Sequence, residues 1–175
     1  MQTLLVDRVN DIRPHIQHLP DKLEFLEELV KEAREAVLAA PVSELDYGFV
    51  HADVHGSNNH LHEGKITHFD FEECAFGFRA FDLATFKWGT VPRKKPERWD
   101  AFIEGYQSVK TISKADLAIH DTFVLIRHIW LVAFHMRNAY DFGQEITHDD
   151  GYVDYHWKRL RKISGRMEES DVGGS

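Results

Sequence analysis

The sequence contains little cysteine and no long uninterrupted apolar run. Its single cysteine, Cys74, cannot form an internal disulfide, and no CxxC pair is present that could hold zinc. The richest apolar stretch, residues 123–134, is broken by Arg127 and His128, and no run reaches the ~18–20 apolar residues of a membrane span. The N-terminus lacks the basic start and apolar stretch of a signal peptide. These absences predict a cytoplasmic protein with no membrane partner.

Positive charge is also scarce. Lys and Arg together number 21 against 29 Asp and Glu, a formal net charge of −8. A phosphate backbone requires a basic face, so we expect no nucleic-acid partner. The composition is otherwise that of an ordinary globular protein, and its 175 residues are enough for one domain with a core. The polar, Gly-rich residues 169–175 predict a flexible tail.

Helical periodicity dominates the chain. A helix is predicted over residues 22–40, with Asp21 as its N-cap and Pro41 as its end. Its apolar face comprises Leu23, Leu26, Leu29, Val30, Ala33 and Val37. Further helices are predicted at about 79–90, 97–109, 114–139 and 152–164. Ser113 and Asp116 resemble a capping box for the third of these.

The β-structure is confined to a short region between the helices. A strand is predicted at Tyr47 to Val50, followed by a polar loop, His51 to Ser57. Two more strands, Asn59 to His62 and Lys65 to Phe71, flank the hairpin signal Glu63-Gly64. The predicted fold class is therefore α+β, mainly helical, with a small β-hairpin that carries the site.

Three polar residues in this region have the chemistry of phosphoryl transfer. The loop contains an acid, Asp53, and an amide, Asn58, and the hairpin returns a second acid, Asp70. Phosphoryl transfer needs one carboxylate that orients the attacking hydroxyl and accepts its proton. A second carboxylate and an amide oxygen can hold magnesium on the nucleotide phosphates. Oxygen ligands suit this hard cation better than imidazole does.

The segment H-A-D-V-H-G-S-N resembles the catalytic loop H-G-D-x-H-x-x-N of the aminoglycoside phosphotransferase and choline kinase-like small-molecule kinases. The later F-D-F-E-E-C-A-F-G-F-R-A-F-D-L-A resembles their metal-binding strand and its sequel. The resemblance implies that Asp53 is the catalytic base and that Asn58 and Asp70 are magnesium ligands. It also implies that His51 is the structural histidine of the loop and that Asp82 supports the loop from below.

The same resemblance implies a fold, cofactors and partners. Residues 1–168 would form the C-terminal lobe of a protein-kinase-like fold, with ATP and Mg²⁺ as cofactors and a small-molecule hydroxyl as substrate. No Gly-rich loop or strand lysine is visible ahead of Tyr47, so no nucleotide-binding residue is assigned and the N-lobe is expected to be absent. We therefore expect the chain alone to be inactive, with a separate N-lobe chain or a second copy in a homodimer as partner. A truncated fragment, or a module used only for binding or assembly, is the alternative.

Two features leave other interpretations open. Histidines are abundant near the loop, and a metal-dependent hydrolase using His51, Asp53 and His55 is a second hypothesis, although no familiar zinc-binding spacing occurs. Ala52 stands where the kinases usually have glycine. A small residue fits there unless a positive φ is required.

The helices after the metal-binding strand form the wall of the substrate pocket in these kinases. The candidate substrate contacts implied in this way are His128, His135, Arg137, Asn138 and Asp141. Apolar residues near the N-terminus would need cover in the absence of an N-lobe, and a two-fold dimer could supply it. These residues are Leu4, Leu5, Val6 and Ile12.

Overall fold

The computed structural model describes Leu5 and residues 7–90, 96–142 and 150–167. Within these ranges the chain forms six α-helices and four short β-strands. The helices are α1 (Asp7–Ile16), α2 (Pro20–Ala39), α3 (Ala80–Thr90), α4 (Pro96–Gln107), α5 (Lys114–Phe142) and α6 (Asp150–Ser164). The strands are β1 (Tyr47–Val50), β2 (Asn59–His62), β3 (Lys65–His68) and β4 (Ala75–Phe78). This arrangement confirms the predicted mainly helical α+β fold.

The described residues divide into two compact units. The first, here called the helical unit, comprises Met1–Ala39 and His128–Ser175, and the second, the loop unit, comprises Ala40–Arg127. The long helix α5 contributes residues to both. The assignment of residues 1–168 to one lobe stays a prediction, and the predicted tail, residues 169–175, lies outside the described residues.

Helix α2 begins slightly earlier than its sequence pattern predicts. The carbonyl of Leu19 accepts hydrogen bonds from the backbone N–H groups of Lys22 and Leu23, both at 3.1 Å. Pro20 is therefore the first helical residue, a position that suits its fixed φ and its missing N–H. Asp21 lies in the first turn instead of capping the helix. The predicted apolar face is buried at Leu26, Leu29, Val30, Ala33 and Val37.

Helix α6 is joined to α2 within the helical unit. The indole N–H of Trp157 donates to the backbone carbonyl of Lys22 at 2.9 Å, and the Lys22 ammonium pairs with the Asp154 carboxylate. Leu5 and Ile12 are fully buried in this chain. Their burial corrects the expectation that they need cover from a second copy, while the other two residues of that set lie outside the described residues.

The loop unit contains two separate two-stranded antiparallel sheets. Strand β1 pairs with β4, and β2 pairs with β3 in the predicted hairpin. Strand β3 ends at His68, three residues before its predicted end, and the chain leaves the extended conformation at Asp70, which has a φ of +64°. Strand β4 was not predicted, since its pairing partner lies almost 30 residues earlier in the chain.

A network of charges fixes the chain ahead of β1. The Asp46 carboxylate accepts from Arg79 at 2.6 Å and pairs with Lys110 at 3.1 Å. Its backbone N–H donates to Asp116 at 3.2 Å. One half of the predicted capping box is present, because the N–H of Asp116 donates to the Ser113 hydroxyl at 2.9 Å. The Asp116 carboxylate accepts in turn from the Ser113 hydroxyl at 2.7 Å. Asp116, in the first turn of α5, therefore also anchors the strand that leads to the loop.

Helix α5 meets the length and hydropathy of a membrane span over residues 114–139. The prediction that no segment approaches a span is therefore corrected for this helix. In its most apolar window, 56% of the residues are buried inside the protein. A mostly buried core helix passes the same test on length and composition.

Candidate active site

The first residues of the loop between β1 and β2 are hydrogen-bonded to a carboxylate of helix α3. One oxygen of Asp82 accepts the backbone N–H of His51 at 2.9 Å, and the other accepts the N–H of Ala52 at 2.7 Å. Burial raises the pKa of the Asp82 carboxyl, and these two backbone donors oppose the shift. Both oxygens of Asp82 therefore hold the backbone immediately before Asp53.

The ring of His51 connects the loop to the end of the hairpin. Its Nδ1 accepts the backbone N–H of Asp53 at 3.3 Å, so the ring proton of the neutral tautomer is on Nε2. That nitrogen donates to the carbonyl of Phe69 at 3.0 Å. Both ring nitrogens are thus engaged, which leaves no lone pair for a metal and argues against the hydrolase hypothesis.

The carboxylate of Asp53 is surrounded by donors. Its Oδ2 accepts from the Nδ2 of Asn58 at 2.9 Å and lies 3.3 Å from the Nε2 of His55. His55 can donate there, because its Nδ1 accepts the N–H of Ser57 at 3.2 Å. The Oδ1 of Asp53 accepts from the guanidinium of Arg127. This carboxylate is therefore fixed from both ends.

Asn58 lies between the loop and the hairpin. Its Nδ2 donates to the backbone carbonyl of Asp53 at 3.0 Å and to the Asp53 carboxylate. With the amide nitrogen occupied by two acceptors, the amide oxygen is the atom left to bind a cation. The N–H of Phe69 donates to the Asn58 carbonyl at 3.2 Å, and Asp70 follows directly, exposed to solvent. The structure thus places the two predicted metal ligands on adjacent backbone.

Metal binding by Asn58 and Asp70 stays a prediction. No group of three or more His, Cys, Asp or Glu side chains able to hold a metal occurs among the described residues. The donor set nevertheless fits Mg²⁺, which is bound by one or two protein oxygens together with substrate phosphates, and keeps several waters. An amide oxygen and one carboxylate are ligands of this kind.

Ala52 has a φ of +65°. The left-handed region costs an L-residue other than glycine on the order of 1 kcal/mol, because its Cβ approaches the following carbonyl. The position therefore requires the positive φ that glycine tolerates, and the alanine here is strained. The Ala52 N–H bond to Asp82 helps to hold this conformation.

The sequence analysis did not assign Arg127 to the site. This residue is almost fully buried, with 3% of its surface exposed to solvent. It reaches Asp53 from α5 and lies over the ring of Trp88, with its guanidinium carbon 5.5 Å from the ring centroid. Burial lowers the pKa of Arg127, and the neighbouring Asp53 carboxylate opposes that shift. The available signal was a charged residue in the richest apolar stretch of the chain, where a buried charge needs a partner.

The predicted substrate contacts lie in the helical unit. The Nδ1 of His135 is 2.9 Å from the Tyr152 hydroxyl, and Asn138 is partly exposed. The side chain of Asp141 lies outside the described part of the chain. The roles of these three residues stay predictions. His128 is fully buried, with its Nε2 3.2 Å from the Nδ1 of His156, which removes it as a substrate contact.

Known proteins resemble this chain over most of its length. An uncharacterised protein of Deinococcus radiodurans is 33% identical over 81% of the chain, and one of Synechocystis is 25% identical over 77%. The amicoumacin kinase of Bacillus subtilis is 30% identical over 51%. The aligned part is 43%, 38% and 30% of these three proteins, so the chain spans less than half the length of each.

The fold is similar to that of a solved kinase. An amicoumacin kinase in complex with AMP-PNP, Ca²⁺ and Ami superposes with a TM-score of 0.62 over 79% of this chain and 43% of that one, at 20% identity. The family model described as "Phosphotransferase enzyme family" matches residues 6–117, a range that includes the loop, the hairpin and Asp82. These findings confirm the resemblance to aminoglycoside phosphotransferase-like small-molecule kinases, and the chain belongs to the phosphotransferase enzyme family.

Proposed function

We propose that the chain supplies the catalytic loop of an enzyme that transfers the γ-phosphoryl group of ATP to a hydroxyl of a small molecule. The observation that carries this proposal is the fixed Asp53 carboxylate. It is bound by Asn58 in its own loop and by Arg127 from α5, and Asp82 holds the backbone ahead of it. Phosphoryl transfer depends mostly on positioning and electrostatics, and this arrangement supplies both.

Each residue of the loop then has a role. Asp53 orients the attacking hydroxyl and accepts its proton as the new bond to phosphorus forms. The amide oxygen of Asn58 and the carboxylate of Asp70 would hold Mg²⁺, which neutralises phosphate charge when bound. The AMP-PNP and Ca²⁺ in the related amicoumacin kinase support nucleotide and divalent metal as ligands. ATP as donor fits the cytoplasmic location predicted from the sequence.

We further propose that another lobe completes the nucleotide site, on the same or a separate chain. The chain spans 43% of the related kinase structure. Both sheets of the loop unit expose apolar side chains, namely Tyr47, Phe49 and Phe76 on one and Leu61 and Ile66 on the other. Within each sheet, exposed apolar residues are cross-strand partners, Phe49 with Phe76 and Leu61 with Ile66, and grouped apolar exposure favours an interface. A nucleotide-binding lobe would cover these side chains and contribute the remaining contacts to the nucleotide.

Calorimetric titration of Mg-AMP-PNP into this chain tests the proposal, alone and with the N-terminal half of the Deinococcus relative added. We expect weak binding alone and tighter binding with the added half. Asp70→Asn should reduce affinity in both, whereas Asp121→Asn, on the surface of α5, should not. In the reconstituted enzyme, Asp53→Asn should reduce turnover about 10²- to 10⁴-fold with nucleotide affinity nearly unchanged.

Two results would contradict the proposal. Equal nucleotide affinity in the wild type and in Asp70→Asn would remove the metal role. Failure of the added half to create any phosphoryl transfer, together with tight association of the two parts, would favour the alternative of a module used only for assembly.

A further inference from the structure

Arg127 is a charged residue in a place where charge is costly. It lies on α5 in an apolar stretch and is almost fully buried, yet its guanidinium contacts the carboxylate proposed as the catalytic base. Burying an ion costs several kcal/mol even after relaxation of its surroundings. A core-forming apolar residue would pack at the same position without that cost. The contact with Asp53 is therefore the feature that distinguishes arginine from an apolar residue at position 127, and we look for the function of the arginine there.

The two oxygens of Asp53 are held by different parts of the chain. Oδ2 is held locally, by Asn58 five residues later and by His55 two residues later. Oδ1 is held by Arg127, 74 residues further along. The local contacts move with the loop and oppose rotation of the carboxylate about its χ2 at one oxygen only. The contact from a long core helix fixes that rotation relative to the rest of the loop unit.

The surroundings of Arg127 keep its guanidinium in one orientation. The group lies over the face of Trp88, and the negative face of an aromatic ring attracts a cation. Glu73 lies near enough to favour the charged form, together with Asp53. A planar guanidinium on a ring is a rigid fork, which the flexible ammonium of lysine does not reproduce.

We propose that Arg127 is a positioning residue that sets the orientation of the Asp53 carboxylate toward the attacking hydroxyl. The inference rests on the proposed function for its catalytic consequence. The geometric part concerns Asp53 alone and is tested without turnover. A displacement of about 1 Å at a reacting group can cost on the order of 10²-fold in rate, so loss of this contact has a large expected effect.

The geometric test uses the side-chain amide of Asn58, which donates to both the carbonyl and the carboxylate of Asp53. Its two proton signals are measured by ¹⁵N-edited NMR in the wild type, Arg127→Met and Arg127→Lys. We expect both variants to shift these signals, because the carboxylate rotates away. Lys87→Met is the matched control, since it breaks a different ion pair of the loop unit, the one between Lys87 on α3 and Asp121 on α5. Signals displaced no further than in the control would overturn the proposal.

The catalytic test measures MgATP hydrolysis, with water as acceptor, by the reconstituted enzyme, which is this chain with the N-terminal half of the Deinococcus relative added. We expect Arg127→Lys, which retains the charge, to lower kcat about 10- to 100-fold with KM for MgATP changed less than about twofold. A purely structural role would lower the folded fraction and leave the kcat of the folded protein unchanged, which would refute the inference. If the reconstituted wild type transfers no phosphoryl group to water or to any hydroxyl, the proposed function fails, and the Asn58 signals of the chain alone still decide the orientation of Asp53. If Arg127→Met does not fold, Arg127→Lys decides both measurements.

Discussion

Replacing Asp53 by asparagine should destabilise the protein as well as stop the proposed chemistry. The substitution removes the counter-charge of Arg127, whose side chain is 4% exposed, while the Asp53 side chain is 19% exposed. Removal of one partner from a buried ion pair costs about 3–5 kcal/mol. The partial exposure of Asp53, and the hydrogen bond that the asparagine oxygen can still accept, reduce this to about 2–3 kcal/mol. For a chain of this size the loss corresponds to a fall in Tm of roughly 5–10 °C.

A double-mutant cycle separates the buried charge from other effects of the substitution. Arg127→Met removes the charge and keeps an apolar side chain that suits the core. We expect Asp53→Asn combined with Arg127→Met to recover more than half of the stability lost by Asp53→Asn alone, because no unpaired charge remains. The coupling energy should therefore be at least about 1.5 kcal/mol, within the range for residues in contact.

Urea unfolding followed by circular dichroism measures all four proteins of the cycle. Asp121→Asn is the matched control, because its pair with Lys87 leaves the Asp121 side chain 69% exposed. Exposed pairs contribute about 0–1 kcal/mol, so this variant should unfold close to the wild type. Asp53→Asn as stable as that control, or additive effects in the cycle, would refute the reasoning. The turnover of Asp53→Asn should therefore be calculated per folded molecule, because the variant is expected to be less stable.

Three further predictions concern the backbone and a histidine pair. Ala52→Gly should stabilise the protein by about 0.5–1 kcal/mol in urea unfolding, because glycine removes the strain at a φ of +65°. Gly48→Ala should destabilise it by about 1–3 kcal/mol, because the new Cβ would displace the Arg79 guanidinium from its ion pair with Asp46; an unchanged midpoint would contradict this. Burial lowers the pKa of His156 from 6.5 to about 4, so the unfolded state binds more protons in that range. Stability should therefore fall as pH drops from 6.5 to 4, by up to about 1.4 kcal/mol per pH unit, and His156→Phe should flatten this dependence.

The sequence predicted the elements whose signals are local. The strands Tyr47–Val50 and Asn59–His62 were predicted with the bounds that the structure has for β1 and β2, and the hairpin turn at Glu63-Gly64 is present. The apolar face of α2 and the Ser113–Asp116 cap follow from spacing along one helix, and both are present. Such features depend on residues a few positions apart, which a sequence pattern records directly.

The missed features depend on residues far apart in the chain. Strand β4 exists because it pairs with β1, and nothing within Ala75–Phe78 specifies that partner. The pair between Arg127 and Asp53 joins a helix to a loop 74 residues earlier. The sequence showed a charge inside an apolar run but not its partner. Related kinases usually have glycine at the position of Ala52, so the sequence raised the question of whether a positive φ is required there. The backbone conformation answers it, because Ala52 has a positive φ.

The departures from local rules concentrate at one place in the loop unit. Among the described residues other than glycine, a positive φ occurs at Ala52, Glu63 and Asp70. Glu63 is explained by the tight hairpin turn it shares with Gly64. Ala52 precedes Asp53, which is proposed to hold the hydroxyl, and Asp70 is itself a proposed metal ligand. The buried Arg127 contacts Asp53. Strained backbone and buried charge persist where the surrounding structure imposes them, and they cluster at active sites. The strained backbone and the buried charge lower the free energy of unfolding at these positions. Their concentration around Asp53 therefore supports the proposal that the loop carries out phosphoryl transfer.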